Sequence, residues 1–108
     1  SERTAFAHYV DGRATVVYGT HTHVPTADER IFPKGLAYIT DVGMTGARDS
    51  VIGVDPATVL PQYTTGLRTR FTWMEAGVAR VDGIVVDVDP TTHRAMHIER
   101  IHREATIA

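Results

Sequence analysis

The feature that most constrains this chain is Gly19-Thr20-His21-Thr22-His23, which directly follows an apolar run over residues 14–18. The run is rich in β-branched residues and has the length of a buried strand. Since side chains alternate across a strand, His21 and His23 are predicted to project from one face, with Cα atoms about 6.5–7 Å apart. Gly19 leaves room beside them for a ligand or another backbone segment.

The spacing of this histidine pair leaves two interpretations open. Two imidazoles can bind one metal ion, or each can bind one of two ions held about 3.5–4 Å apart. The same sequence pattern also occurs as an exposed pair without metal. A catalytic metal ion needs about three protein ligands, and none of the nearby acidic residues has a tight ligand spacing from the pair: Asp28, Asp41 and Asp49. Further ligands are therefore expected from chain upstream of Ser1 or from a partner.

Asp41 ends a second predicted buried strand, residues 36–42. Its carboxylate can accept a hydrogen bond from the outer ring nitrogen of a metal-bound histidine, or it can cap the next turn. Asp28 likewise either orients a ligand or is a solvated loop carboxylate. The glycine-bracketed segment Gly43-Met44-Thr45-Gly46 is either a plain turn or a backbone segment packed near the reacting centre.

Composition narrows the class of protein. A chain of 108 residues with 43% hydrophobic content suits one domain with a buried core. The net charge of −2 gives no reason to expect a stable nucleic-acid complex or membrane-surface binding. The absence of cysteine excludes thiolate metal sites and fits a reducing compartment, so we expect a cytoplasmic location. No apolar run approaches the roughly 18 residues of a membrane span.

The order of predicted elements indicates an α/β fold. A helix over residues 1–10, with residues 5, 6, 9 and 10 on one face, precedes the first strand. A second helix begins near residue 56, with Asp55 as N-cap and Pro56 at its first position. Three later strands, predicted at residues 68–74, 78–88 and 95–101, form an antiparallel meander.

Other patterns carry little chemistry. His93 and His97 lie on a predicted strand about 13 Å apart, too far to share an ion, so we interpret them as surface histidines. Ser50 lacks a nucleophile-elbow setting, and the sequence contains neither a P-loop nor a dinucleotide fingerprint.

Two stretches, residues 19–28 (GTHTHVPTAD) and 37–46 (AYITDVGMTG), strongly resemble the bacterial YmdB-type calcineurin-like metallophosphoesterases. Residues 83–89 and 98–101 fit the same family, so the similarity spans nearly the whole chain. His-x-His alone is common to many metallophosphoesterases, whereas its combination with Thr-Asp-Val-Gly-Met-Thr-Gly is specific.

The resemblance implies that residues 1–108 are the C-terminal portion of a single domain, a four-layer α/β/β/α sandwich whose N-terminal half is not in this chain. It implies two metal ions, iron or manganese with zinc or magnesium as alternatives, and hydrolysis of phosphomonoesters and phosphodiesters, including 2′,3′-cyclic nucleotides. His21 would bind one metal and His23 the other. Asp41, Gly43, Met44, Thr45, Asp28 and Thr22 would surround or support the site.

The family's other ligands and its catalytic histidine would precede Ser1, and His8 matches neither position. The chain alone is therefore expected to be inactive. A non-enzymatic metal-binding or interaction module, or a structural domain with idle histidines, is the competing interpretation. A homo-oligomer is a further expectation.

Overall fold

The computed structural model describes residues 1–107, which form two helices and six strands. In chain order these are α1 (Glu2–Val10), β1 (Val16–Tyr18), β2 (Arg30–Ile31), β3 (Ala37–Ile39), β4 (Thr45–Ala47), α2 (Pro56–Thr65), β5 (Gly77–Val88) and β6 (Ala95–Ile107). They divide into two compact units. The first comprises Ser1–Met44 and Asp82–His102, and the second comprises Thr45–Val81 and residues 103–107.

The sheet of the first unit is mixed and has the order β1-β3-β2. β1 runs parallel to β3, with Val17 opposite Tyr38, whereas β2 is antiparallel to β3. All three residues of β3 are buried. A central strand covered on both faces is expected to be apolar throughout, which explains the continuous run Ala37-Tyr38-Ile39.

Two hydrophobic clusters cover the two faces of β3. Tyr38 packs with Ala7 of α1 and with Phe32 and Leu36, while Ala37 and Ile39 pack with two residues of β6, Ala95 and Ile98. The predicted α/β class is thus confirmed, with helix, sheet and strand layers within the first unit. The four-layer sandwich of the whole family fold remains a prediction.

The face that α1 buries differs from the predicted one. Ala7 is fully buried and Val10 packs beside it, whereas Phe6 and Tyr9 are 54% and 72% exposed. The His8 ring lies 4.7 Å from the Phe32 ring. The small side chain of Ala7 brings the helix close to the sheet, and this contact turns the larger Phe6 and Tyr9 outward.

The strand predicted at residues 68–74 is wrong. Only Trp73 makes a β-bridge there, to Val54. The Thr69 hydroxyl donates to the Thr58 carbonyl at 2.6 Å, and the Thr72 amide donates to the Thr58 hydroxyl at 3.2 Å. The Thr72 amide, which a strand ladder would have used, and the Thr69 hydroxyl therefore both bond to α2.

The three-stranded second sheet has the order β4-β5-β6, so β4 takes the place of the predicted strand. β4 is antiparallel to β5, with Thr45 opposite Val81 and Ala47 opposite Ala79. Thr45 and Gly46 are consequently strand residues, so only Gly43 and Met44 of the glycine-bracketed segment lie outside a strand. Whether this segment is a plain turn or packs near a reacting centre stays open. Predicted strands at 78–88 and 95–101 correspond to β5 and to the first part of β6.

The second helix starts as predicted. The Asp55 carboxylate accepts a hydrogen bond from the Ala57 amide at 2.9 Å, and Pro56 is the first helical residue. Gly66 ends the helix in the left-handed region, at φ 72°. Within residues 1–107, neither helix has the length and apolarity needed to cross a membrane.

We expect Asp55→Ala to lower the free energy of unfolding by about 1 kcal/mol, because the Ala57 amide loses its acceptor. Urea denaturation measures this change. Asp55→Asn is the matched control, since asparagine caps helices about as well as aspartate. Equal losses in both variants would contradict a capping role for this side chain.

Candidate functional site

The two histidines lie in a loop and not on a strand. β1 ends at Tyr18, and its pairing with β3 continues only as far as Gly19, whose amide donates to the Ile39 carbonyl at 3.2 Å. Both histidines then have positive φ, 98° for His21 and 65° for His23. The prediction that strand alternation places them on one face is therefore wrong, because the chain bends away from the sheet immediately after Gly19.

The loop nevertheless brings the two imidazoles together. Their ring centroids are 6.1 Å apart and their planes are at 73°, an edge-to-face arrangement. His21 is exposed and His23 is partly buried. The exposed His21 ring is therefore open to a ligand at the surface of the loop, and the His23 ring lies beside it.

Asp41 supports this loop from beneath. Its carboxylate is fully buried and accepts two backbone hydrogen bonds, from Thr22 and from Gly43, each at 2.9 Å. The bond to Gly43 is the predicted turn cap. The bond to Thr22 was not predicted, and it fixes the amide that lies between the two histidines.

Burial acts to raise the pKa of Asp41, but the hydrogen bonds from Gly43 and Thr22, together with the charge of Arg3, outweigh it. The pKa of this carboxyl therefore lies below its ordinary value. Asp41 is accordingly a carboxylate at neutral pH, and it presents its negative charge to backbone amides on both sides.

Asp28 ties the next part of the loop to the end of β3. It accepts hydrogen bonds from the Thr26 hydroxyl at 2.6 Å, from the Thr40 amide at 3.1 Å and from the Thr40 hydroxyl. Burial acts to raise its pKa, but these bonds outweigh it and lower the pKa. Asp28 is thus a loop carboxylate with a structural role, and not merely a solvated one.

The Gly43 turn packs against an acidic residue that the sequence analysis missed. Gly43 has φ 94°, and a Cβ there would lie 2.6 Å from Asp82 Cβ. The Met44 carbonyl accepts from the Asp82 amide at 3.1 Å. Asp82 Oδ1 lies 2.6 Å from His102 Nδ1, with the Asp82 side chain 2% exposed. A carboxylate within the apolar pattern of residues 78–88 is the sequence signal that could have identified it.

A pocket of about 430 Å³ opens beside His21 in the first unit. Polar and aromatic groups share its lining, which includes Arg3, Phe6, Tyr18, Thr20, His21 and Thr40. His93 and His97 lie elsewhere, on a turn and on β6. The interpretation of these two as surface residues agrees with their exposure.

Imidazole nitrogens suit iron and zinc, whereas manganese and magnesium favour carboxylate, carbonyl and water oxygens. Across residues 1–107, no group of three or more histidine and acidic side chains is arranged to hold a metal ion. His21 and His23 thus fit the role of contributing ligands, one or two nitrogens of a larger set. Whether they bind metal stays a prediction.

The sequence model of the YmdB-like protein family matches residues 1–101. A 2′,3′-cyclic-nucleotide 2′-phosphodiesterase of Bacillus subtilis is 54% identical over 101 residues, which are 94% of this chain and 38% of that protein. A putative phosphatase/phosphodiesterase of Mycoplasma pneumoniae is 45% identical over 102 residues, 94% of this chain and 36% of that protein. The chain therefore spans less than two-fifths of the length of these curated relatives.

A solved structure shows the same fold. The crystal structure of a novel phosphatase from Mycoplasma pneumoniae superimposes on this chain with a TM-score of 0.86 at 42% sequence identity. The matched region covers 97% of this chain and 37% of the phosphatase chain.

Proposed function

Because this chain belongs to the family of YmdB-like proteins, we propose that it forms part of a metal-dependent phosphoesterase. The observation that carries the proposal is the pair His21 and His23, whose rings lie 6.1 Å apart on a loop fixed by Asp41. Proteins named as phosphodiesterases and phosphatases share 45–54% of its residues over the matched region.

We further propose that the site is dinuclear, with iron or manganese, and that His21 and His23 each contribute a nitrogen ligand. When bound, a pair of such ions stabilises charge on phosphoryl oxygens and activates a water molecule. The chain's own residues would supply the ligand atoms and place them. The Asp41 carboxylate accepts a hydrogen bond from the amide of Thr22, the residue between the two histidines, and so positions both. The name of the Bacillus subtilis relative supports 2′,3′-cyclic nucleotides as the substrate class.

The remaining ligands and the catalytic histidine are expected outside residues 1–108, as the family resemblance implies. The chain alone is therefore expected to bind metal weakly and to show no hydrolysis. The four-layer sandwich, a cytoplasmic location and a homo-oligomeric assembly belong to the same proposal. A phosphoester or cyclic nucleotide would be its substrate.

We expect His21→Gly and His23→Gly in the full-length protein each to reduce bound metal substantially. Hydrolysis of 2′,3′-cyclic AMP and of bis-p-nitrophenyl phosphate should fall by about a hundredfold or more. Glycine is chosen because it accepts the positive φ of both positions, so loss of the imidazole is the main change. Elemental analysis and kcat/KM are the measurements.

The control for the two histidine variants is His97→Ala. Alanine is used at this position because glycine would weaken the strand. His97 is exposed on β6, and its replacement should leave metal content and hydrolysis unchanged. Unchanged metal content in both loop variants would refute the ligand assignment. A full-length protein that holds metal but hydrolyses neither substrate would instead favour a non-enzymatic metal-binding module.

A further inference from the structure

The histidine loop has a backbone that needs support. Residues other than glycine rarely adopt positive φ, and they persist in that conformation only where surrounding contacts hold them there. Two occur here within three residues, His21 at 98° and His23 at 65°. The Asp41 carboxylate fixes the amide of Thr22, between them. The segment that precedes His21 requires a second support.

Arg3, in the first turn of α1, supplies that support. Its Nη1 donates to the Thr40 carbonyl at 2.9 Å, and its Nη2 donates to the Thr20 carbonyl at 3.0 Å. Thr20 immediately precedes His21, and Thr40 immediately precedes Asp41. One planar guanidinium therefore joins the start of the histidine loop to the end of β3, a geometry that the two-pronged donor set of arginine suits and that of lysine does not.

The same guanidinium lies 3.6 Å from Asp41 Oδ2. Because the Arg3 side chain is 45% exposed, solvent screens much of this charge interaction. The two hydrogen bonds to backbone carbonyls, and not the ion pair, thus fix the position of the loop.

Gly19 makes the close approach possible. A Cβ at Gly19 would lie 2.9 Å from Arg3 Nη1 and 1.9 Å from the Thr40 carbonyl oxygen. Arg3 and the backbone of Thr40 thus occupy the space that a side chain would need. Arg3 is therefore packed into the base of the loop.

We propose that Arg3 is a positioning residue, which holds the His21–His23 loop in its metal-binding conformation through the Thr20 and Thr40 carbonyls. The metal-binding part of this inference rests on the function proposed above, whereas the conformational part does not. Removal of Arg3 should release the Thr20 carbonyl and loosen the loop before any metal is added. Metal binding would then have to order the His21 and His23 side chains, and this entropic cost would weaken metal affinity.

The test uses the full-length protein with Arg3→Ala and Arg3→Lys. Hydrogen exchange of the peptide covering residues 19–24, measured without metal, reports on the loop, and titration with Mn²⁺ reports on affinity. We expect Arg3→Ala to speed exchange in this peptide and to weaken Mn²⁺ binding by about 10–100-fold, as replacement of a supporting residue commonly does. Arg3→Lys should recover only part of both effects, because an ammonium group lacks the planar fork.

Arg13→Ala is the matched control. It removes the same charge near the other end of α1, where the guanidinium stacks over the Tyr9 ring and makes no contact with the loop in the described structure. Arg13→Ala should leave exchange and Mn²⁺ affinity unchanged. If Arg3→Ala fails to fold, Arg3→Lys decides the question by the same two measurements.

The outcomes separate the two proposals. A folded Arg3 variant with a lowered melting temperature but unchanged exchange and Mn²⁺ affinity would overturn the positioning role, since the residue would then be merely structural. If the wild-type protein binds no Mn²⁺, the proposed function fails, and exchange in residues 19–24 still decides the conformational role of Arg3.

Discussion

Gly19→Ala is expected to destabilise the first unit by about 3 kcal/mol or more. The added methyl group would lie 1.9 Å from the Thr40 carbonyl oxygen, which belongs to the backbone and cannot rotate away. To relieve this clash, the backbone at Gly19 would have to move away from the segment that holds Thr40, where Gly19 forms backbone hydrogen bonds with Ile39 and Val42. The histidine loop begins one residue later, so metal content of the full-length protein should fall together with stability. Urea denaturation and elemental analysis measure the two effects.

Gly83→Ala is the matched control for this variant. It is also in the first unit, but its added Cβ would lie 3.5 Å from the Ile101 side chain, an ordinary van der Waals distance. Gly83 is a strand residue, so alanine should change stability by less than about 1 kcal/mol. Similar losses at the two glycines would show that general backbone effects, and not the Thr40 contact, explain the result.

Asp41→Asn is expected to produce the second large effect, a loss of about 3 kcal/mol at pH 7. An amide side chain has a single acceptor oxygen, so only one of the Thr22 and Gly43 amides keeps its bond and the other faces the NH₂ group. The neighbouring Arg3 also loses its negative partner. Metal binding at His21 and His23 should weaken, because the Thr22 amide is the link between Asp41 and the loop.

The pH dependence follows from the direction of the Asp41 pKa. Since the folded-state pKa lies below the ordinary value of 3.8, Asp41 stabilises the folded state above that ordinary value. This contribution is lost as the pH falls through the folded-state pKa. Wild-type stability should therefore decrease below about pH 4, with Asp28 acting in the same direction. Asp41→Asn should show a smaller decrease over this range.

Urea denaturation of both proteins between pH 7 and pH 2.5 measures these differences. Asp87→Asn is the control, because Asp87 is an exposed residue of β5 and its replacement should change stability little. If Asp41→Asn matches the wild type at pH 7, the buried carboxylate does not hold the loop.

Local signals in the sequence predicted part of the fold. The Asp55-Pro56 pair located the start of α2, because capping chemistry depends on adjacent residues. The continuous apolar run at residues 36–39 located the buried strand β3. Residues 68–74 alternate like a strand, yet the Thr69 hydroxyl and the Thr72 amide bond to Thr58 of α2. Such a choice between partners depends on tertiary contacts, which periodicity does not contain.

The assignment of His21 and His23 as metal ligands stays a prediction, and the geometry predicted for them is wrong. The His-x-His spacing was placed on a strand, whereas the chain bends there. The bend depends on the Thr40 carbonyl and on Arg3, which come from distant parts of the sequence. The Thr22–Asp41 bond, the buried Asp82 and its contact with His102 are equally long-range, so sequence spacing gave no measure of them.

The parallel pairing of β1 with β3 has a consequence for how the molecule acquires its site during folding. Thr22 and Asp41 are 19 positions apart, and Gly43 must also be present before both carboxylate oxygens are satisfied. A newly synthesised polypeptide that has emerged only as far as His23 therefore has both imidazoles but no means of arranging them. The chain between β1 and β3 must first close so that the two strands can pair. Assembly of the site is therefore a late event that depends on long-range contacts.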